Sequence, residues 1–477
     1  MRTDRQRIGF AMILRLSYPN RVGMLARITA AIARTNGDFR AVEMVESDGA
    51  QMVRDFTLTS GSDIQQRRIV QALKRLAGVT VVQISDRVLQ LHRGGKIEVQ
   101  NRFSLDNGEV LAMAYTPGVA RACNEIVAHP ESVYDYTIKG KTVAIITDGT
   151  AVLGLGDIGP DAAMPVMEGK AMLLKALAGL DAYPICLRTK DPQQIIDTVC
   201  NISTGFAAIN IEDISAPRCF QIEEELQKRL DIPVFHDDQH GAAIVVFAGL
   251  TNALKLKRQK LTRVKIVING AGAAGVAITK FLLSAGATNL LVCDRDGILS
   301  RRQSDQLNEA HRWVALHTNR QGVTGKLDDA LKDADVFIGV SKPHIVNRKM
   351  LKHMAPKPIV FALANPVPEI MPEEAAGVAY IMATGRSDFP NQINNALVFP
   401  AIFRGAINVR ARCINEAMKL AAAAAIAECV SPADLAPEYI VPRVFHPGGV
   451  RRVAAAVEKA AIQTGVARGV AAPDGNA

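Results

Sequence analysis

The chain has 477 residues, 48% of them apolar and 22% charged, which excludes a disordered or fibrous protein and gives material for about two to four domains. Its 56 Lys and Arg exceed its 47 Asp and Glu, for a net charge of +9. The basic residues are dispersed, the densest run being "KLKRQKLTRVK" from Lys255 to Lys265, and only 5% of residues are aromatic, so that run reads as a solvated face and no nucleic-acid partner is expected.

Seven isolated cysteines (Cys123, Cys186, Cys200, Cys219, Cys293, Cys413, Cys429) show no CxxC spacing, as reduced thiols in a cytoplasm would. No apolar run approaches a membrane span, and "GFAMIL" is too short for a signal-peptide core; no membrane partner is expected.

The first block predicts, in order, a strand over Phe10 to Tyr18, a helix from Gly23, a hairpin from Ala41 to Ser60, an amphipathic helix over Ile64 to Gly78 and a strand over Val79 to Leu89. The order is βαββαβ. That pattern, with the loop "PNRVGMLARIT" after the first strand, resembles an ACT domain, a small ferredoxin-like module. The resemblance implies a small-metabolite effector at Asn20, Gly23 and Leu25, although Val22 stands where the family commonly has proline. A purely structural, oligomerising module is the alternative.

A polar linker, "LHRGGKIEVQNRFSLDNGE", follows. Tyr115, in "AMAYTPGVARAC", precedes a Thr-Pro-Gly turn; it is either a half-buried aromatic or, near cations, a proton donor. From Lys141 a buried strand runs into the glycine-rich turn "TDGTAVLGLGDIGP", and a helix starts near Ala162. Within it Lys170 has Val166, Met167, Leu173 and Leu174 at helical spacing. Such a face desolvates the amine, lowers its pKa and makes it a candidate general base; a snorkelling lysine is the alternative.

"AINIEDISAP" runs β-like to Ile211 and then sets Glu212 beside Asp213. A helix follows, with Ser215 expected as N-cap and Pro217 in the first turn. The next strand, Ile232 to Phe235, ends in His236, Asp237 and Asp238. In a right-handed βαβ unit both strands finish at one sheet edge, so these carboxylates converge. Hard oxygen donors without a cysteine neighbour suit Mg²⁺ or Mn²⁺, with His236 and His240 behind the ligands; solvated loop acids are the alternative.

The third block opens with "VKIVINGAGAAGVAITKFLLSAGATNLLVCDRDG". Gly270, Gly272 and Gly275 form GxGxxG between a strand and a helix that begins with Ala273 and Ala274, the context for a dinucleotide pyrophosphate. Asp294 ends the next strand where a ribose hydroxyl partner belongs; Asp296 adds negative charge, whereas Arg295 suits a 2′-phosphate. The cofactor expected is NAD, with NADP the alternative. Three further strands complete a Rossmann-like sheet, and the chain ends in alanine-rich helices and a frayed tail.

Together "AYTPGVA", "TDGTAVLGLGDIGP", "PVMEGKAMLLK", "NIEDISAP", "FHDDQHGAA", "NGAGAAG", "ALANP" and "FPNQINNALVFPAIFRGA" resemble the small bacterial-type malic enzymes, some of which carry an N-terminal ACT domain. The resemblance implies an α/β fold: a Rossmann-like, doubly wound NAD domain (246–477), an α/β substrate and metal domain (91–245), and a βαββαβ ACT-like domain (1–90). It implies metal-dependent oxidative decarboxylation of L-malate to pyruvate by a homodimer or higher homo-oligomer. Tyr115 then corresponds to the general acid and Lys170 to the base. Glu212, Asp213 and Asp238 correspond to the metal ligands, with Asp237 in the proton network. Asn365 and Asn395 match positions that hold substrate near the nicotinamide, Asn365 also facing the cofactor. Two departures stand out: Thr150 and Ala151 occupy the place where larger relatives carry a carboxylate-binding arginine, and "GVSKPH" replaces an Ala-Pro-Gly-like stretch. Other readings of the same residues are an oxaloacetate decarboxylase, an amino-acid dehydrogenase and a non-catalytic nucleotide-sensing regulator.

Overall fold

The computed structural model describes residues 11–60, 63–152 and 154–469; the expected frayed end beyond 469 lies outside them. The chain divides into two compact units, Met1–Glu98 and Val99–Ala477.

In the first unit, strands β1 (Ala11–Pro19), β2 (Asp38–Ser47), β3 (Gln51–Thr59) and β4 (Thr80–Asp86) form an antiparallel sheet in the order β2-β3-β1-β4. Period-two alternation puts Met12, Leu14, Leu16 and Tyr18 of β1 in the core, with Phe56 and Leu58 of β3. Helices Met24–Arg34 and Asp63–Lys74 cover that face through Ile28, Ile32, Ile69 and Leu73. On β1 and β3, Arg15 stands opposite Asp55 and forms a two-pronged ion pair with it. This is the expected βαββαβ, ferredoxin-like arrangement. One expectation fails: the last strand stops at Asp86, whose carboxylate accepts from the Val88 and Leu89 amides and caps a short helix, Arg87–His92.

The second unit holds two parallel sheets. The first has the order β6-β5-β7-β8, from β5 (Thr142–Thr147), β6 (Asp181–Cys186), β7 (Ala208–Ile211) and β8 (Val234–His236). Both β5 and β7 are buried along their whole length, as strands covered on two faces must be. Helices Pro160–Ala178, Pro192–Ile202 and Arg218–Arg229 make the crossovers. The last begins one residue after Pro217, which occupies the N-cap without a side-chain bond. Ser215, expected there, instead accepts from Arg218 through its hydroxyl.

Helix Ala242–Lys257, buried over most of its surface, leads from the first sheet to the second; the expected boundary at 245/246 falls inside it. The second sheet comprises β9 (Lys265–Asn269), β10 (Asn289–Asp294), β11 (Gly297–Ile298), β12 (Val336–Gly339), β13 (Ile359–Ala362) and β14 (Ile381–Thr384). Its order is β11-β10-β9-β12-β13-β14, parallel except for β10 against β11, a doubly wound Rossmann-like sheet. Helices Phe399–Asn408, Glu416–Glu428 and Gly449–Gln463 close the unit, and one apolar core runs from Val143 and Ile145 of β5 through Phe399 and Phe403 to Ile266 and Ile268 of β9.

Candidate active site

Because β7 and β8 are parallel, Glu212 and Asp213 leave the sheet at the same edge as Asp237 and Asp238. Asp213 turns there with φ of 53°, a left-handed conformation that Asp tolerates better than most residues. Asp237 and Asp238 lie in a π-helical turn, Asp237–Gly241, that joins β8 to the following helix. Carboxylate oxygens of Glu212, Asp213 and Asp238 all lie within 4.8 Å of one another. Asp238 also accepts from the Asp213 backbone amide at 2.8 Å, and Glu212 from the Asn210 side chain at 2.9 Å.

Three carboxylates this close, with little water, resist full ionisation. Burial and the charge of Asp238 push Asp213 up to about 8. Burial also raises Glu212 well above its ordinary value, against the pull of Lys170. Asp238 moves the other way: burial works against its charge, but the hydrogen bond and charge of His236 outweigh it. Asp213 Oδ2 and Asp237 Oδ1 are buried without a hydrogen-bond partner. A hard divalent cation fits this set: all donors are oxygens, their charge exceeds that of the neighbouring cation, and one ligand oxygen is left orphaned.

That neighbouring cation is Lys170. Its Nζ lies 2.9 Å from Glu212 Oε1, donates to Asp237 Oδ2, and sits 4.6 Å from the centroid of the Phe399 ring. The expected lowering of its pKa is not what this surrounding produces. Burial does disfavour the ammonium, but Asp237, Glu212 and Asp238 outweigh it and raise the pKa above the ordinary lysine value. The residues at helical spacing are apolar, yet the tip of Lys170 ends among acids. Asn395, from the other side of the unit, donates to Asp237 Oδ2 at 3.2 Å.

Tyr115 is not brought to this cluster within one chain. It follows helix Gly108–Ala114, is 70% exposed and makes no side-chain hydrogen bond among the described residues. Asn365 is exposed, between β13 and β14, with its amide facing Gly385 and its carbonyl facing Gly154.

At the edge of the second sheet the glycines behave as GxGxxG requires. Gly270 has φ of 113° and a Cβ there would lie 2.5 Å from the Val340 carbonyl; at Gly275 it would lie 1.7 Å from the Gly270 carbonyl. Nothing lies within 4 Å of a Cβ at Gly272, the N-cap of helix Ala273–Ser284, leaving open space where a pyrophosphate would rest against the first turn and Ala273 and Ala274. Asp294 ends β10, with Oδ1 accepting from the Asp296 and Gly297 amides. Arg295 is 90% exposed along its side chain and lies 3.4 Å from Asp296.

Residues 94–227 match the family model described as "Malic enzyme, N-terminal domain", and residues 239–463 match "Malic enzyme, NAD binding domain". An NAD-dependent malic enzyme of Geobacillus stearothermophilus is 52% identical over 457 residues, covering 95% of each chain. The chain belongs to the malic enzyme family. A bifunctional malic/malolactic enzyme of Bacillus subtilis is 51% identical over 81% of this chain and 95% of its own. The crystal structure of an NAD-dependent malic enzyme from Thermotoga maritima superposes with a TM-score of 0.75 at 47% identity, over 78% of this chain and 98% of the other. Both malic enzyme models begin after residue 93, so the first unit lies almost wholly outside them.

Sequence reading overlooked three buried groups of the second unit. Glu223 lies beneath the turn that carries Asp237 and Asp238. Its signal was periodicity: with Cys219, Ile222 and Leu226 it falls on the buried face of its helix, while Glu224 and Glu225 do not. Glu369, wholly buried, accepts from the Ser341 and Ala364 amides and so ties the loops after β12 and β13 together; burial raises its pKa. Lys419, from the C-terminal helices, is buried against His240. No local pattern marks these last two.

Proposed function

We propose that the protein oxidatively decarboxylates L-malate to pyruvate and CO₂ and reduces NAD. The observation that carries this reading is Lys170 Nζ, held between Glu212 and Asp237 at the edge of a three-carboxylate cluster. Residues 91–245 supply substrate and metal contacts, and residues 246–477 the dinucleotide site. Glu212, Asp213 and Asp238 would hold Mg²⁺ or Mn²⁺, which supplies a Lewis acid for the charge that develops on the substrate oxygens.

Lys170 takes the C2 hydroxyl proton as the C2 hydride leaves; a dinucleotide held at Gly270, Gly272 and Gly275 would supply the hydride acceptor. The surrounding acids hold its amine charged, so it first gives up a proton, and Asp237, bonded to Nζ and steadied by Asn395, is placed to receive it. The C3–C4 bond then breaks, CO₂ leaves, and the C3 carbanion of the resulting enolate takes a proton from Tyr115. NAD is the favoured dinucleotide because Asp294 puts a carboxylate at the end of β10 while Arg295 points to solvent.

Tyr115 reaches that position from a second copy of the chain. Helices Gly108–Ala114 and Val119–Ala128 bury no residue, and Phe103, Met113, Tyr115, Val127 and Tyr136 are each more than half exposed, an apolar face that water does not favour. A homodimer that covers it would complete each site with a tyrosine from its partner. Residues 1–90 form an ACT-type effector module, with the loop at Asn20, Gly23 and Leu25 open beside the hairpin tip, where Asn20 reaches the Gly49 carbonyl at 3.4 Å. The isolated thiols, all free, fit a reducing cytoplasm.

The test follows reduced cofactor and pyruvate together, with L-malate, Mn²⁺ and NAD or NADP, with and without EDTA. Equal, EDTA-sensitive formation of both with NAD is expected; cofactor reduction without pyruvate would reject the reading. For Tyr115, co-refolding equal amounts of inactive Tyr115→Phe and Lys170→Ala chains should restore about a quarter of wild-type activity in a symmetric dimer. No restoration would place the tyrosine in its own chain's site or outside the chemistry.

A further inference from the structure

Glu223 occupies a position no step of the reaction uses. Its Oε1 accepts from the His236 amide at 3.0 Å and from Gln227 at 3.2 Å; its Oε2 lies 2.8 Å from Gln239 Nε2. His240 Nε2 lies 2.9 Å from Oε1. Burial opposes the charge of Glu223, but His240 and the donors around His236 outweigh it and draw its pKa down to about 2. The group is therefore a carboxylate, and a carboxylate only accepts.

That fixes a chain of orientations. The Gln239 atom facing Glu223 must be its NH₂ nitrogen. The same nitrogen lies 2.7 Å from His236 Nδ1, so Gln239 is wedged between Glu223 and one edge of the His236 ring. The other edge of the ring, Nε2, lies 3.2 Å from Asp238 Oδ2 and donates to it. If the Gln239 amide were flipped, its oxygen would face the Glu223 carboxylate 2.8 Å away.

We propose that Glu223 is a positioning residue for the metal site: it sets the amide of Gln239, which fixes the ring of His236, which holds Asp238 in its ligand orientation. The inference rests on the metal-site reading above. It is independent of the roles of Lys170 and Tyr115.

The test is Mn²⁺ binding to the full-length protein, followed by electron paramagnetic resonance, with the melting temperature in EDTA as a separate measure of folding. Glu223→Gln replaces the obligate acceptor by a group that also donates and lets the Gln239 amide flip. Gln239→Leu leaves the contacts of Glu223 with His236, Gln227 and His240 in place and removes only the relay. Each is expected to weaken Mn²⁺ binding by about 10–100-fold, and the double variant to lose no more than the worse single one, because both act through His236. A merely structural Glu223 would lower the melting temperature while Gln239→Leu bound Mn²⁺ normally. Binding within about twofold of wild type in Gln239→Leu, or additive losses in the double variant, would overturn the proposal; should Glu223→Gln fail to fold, Gln239→Leu decides alone. Wild-type protein that binds no Mn²⁺, or binds it unchanged after Asp238→Ala, would overturn the metal-site reading and the proposal with it.

Discussion

Lys170→Met is the most informative single change, because it removes the lysine ammonium that the structure places among four carboxylates. At 2.9 Å from Glu212, an ion pair in an effective dielectric of about 20 is worth about 6 kcal/mol before desolvation. Losing one partner of such a buried pair costs about 3–5 kcal/mol net. For a unit spanning Val99–Ala477, that corresponds to a fall in melting temperature on the order of 5 °C. The deficit should depend on pH with a definite sign. Without the ammonium, Glu212, already raised by burial, loses the charge that lowers it and lies further above its value in the unfolded chain. The folded protein then holds protons that the unfolded chain releases, so stability falls as pH rises from about 4 through the folded values. Thermal unfolding of wild type and variant in EDTA, at about pH 5.5 and pH 8, reads this directly: a small gap at the lower pH and a wide one at the higher. A gap below about 1 °C at both, or equal at both, would refute the charge balance assigned to Lys170.

Mn²⁺ should bind more tightly as pH rises toward 8, because Asp213, pushed up to about 8, must release its proton to coordinate; the expected slope approaches tenfold per pH unit below that value, and a flat dissociation constant between pH 6 and 8 would contradict it. Gly272→Val should raise the KM for NAD at least tenfold with the melting temperature unchanged, since the new side chain fills open space in the cradle. Gly275→Ala should do the reverse, costing about 1–3 kcal/mol of stability because its Cβ meets backbone; calorimetry and cofactor titration separate the two. Asn395→Ala, which frees Asp237 of its amide donor, should lower kcat with little change in metal affinity, measurable by steady-state kinetics and Mn²⁺ titration.

Much of the site could be read from the sequence because its parts are local. Two acid pairs at the ends of successive strands, joined by a helix, have few places to go once the strands are parallel, and GxGxxG carries its own backbone geometry. Lys170 was legible as a special lysine but not in its electrostatics. Residues three and four positions away report what lines a helix face, whereas the ammonium lies several bonds beyond, among groups contributed by β7 and β8. Tyr115 shows the same limit in another form, since no spacing within one chain tells where an exposed aromatic is covered. The misplaced strand end at Asp86 and the misplaced cap at Ser215 arise from competition: Asp86 is as good a cap as a strand terminus, and Pro217 suits the first turn whether or not Ser215 turns inward.

The three carboxylates fitted to the metal all lie between positions 212 and 238, on one strand–helix–strand unit, whereas Asn395 and the dinucleotide cradle come from distant parts of the chain. The grip on the metal therefore depends on short-range closure and can form before the second sheet has assembled. A chain made from its N-terminus therefore carries every metal ligand before any residue of the dinucleotide cradle, although both close on one core that needs Phe399 and Phe403.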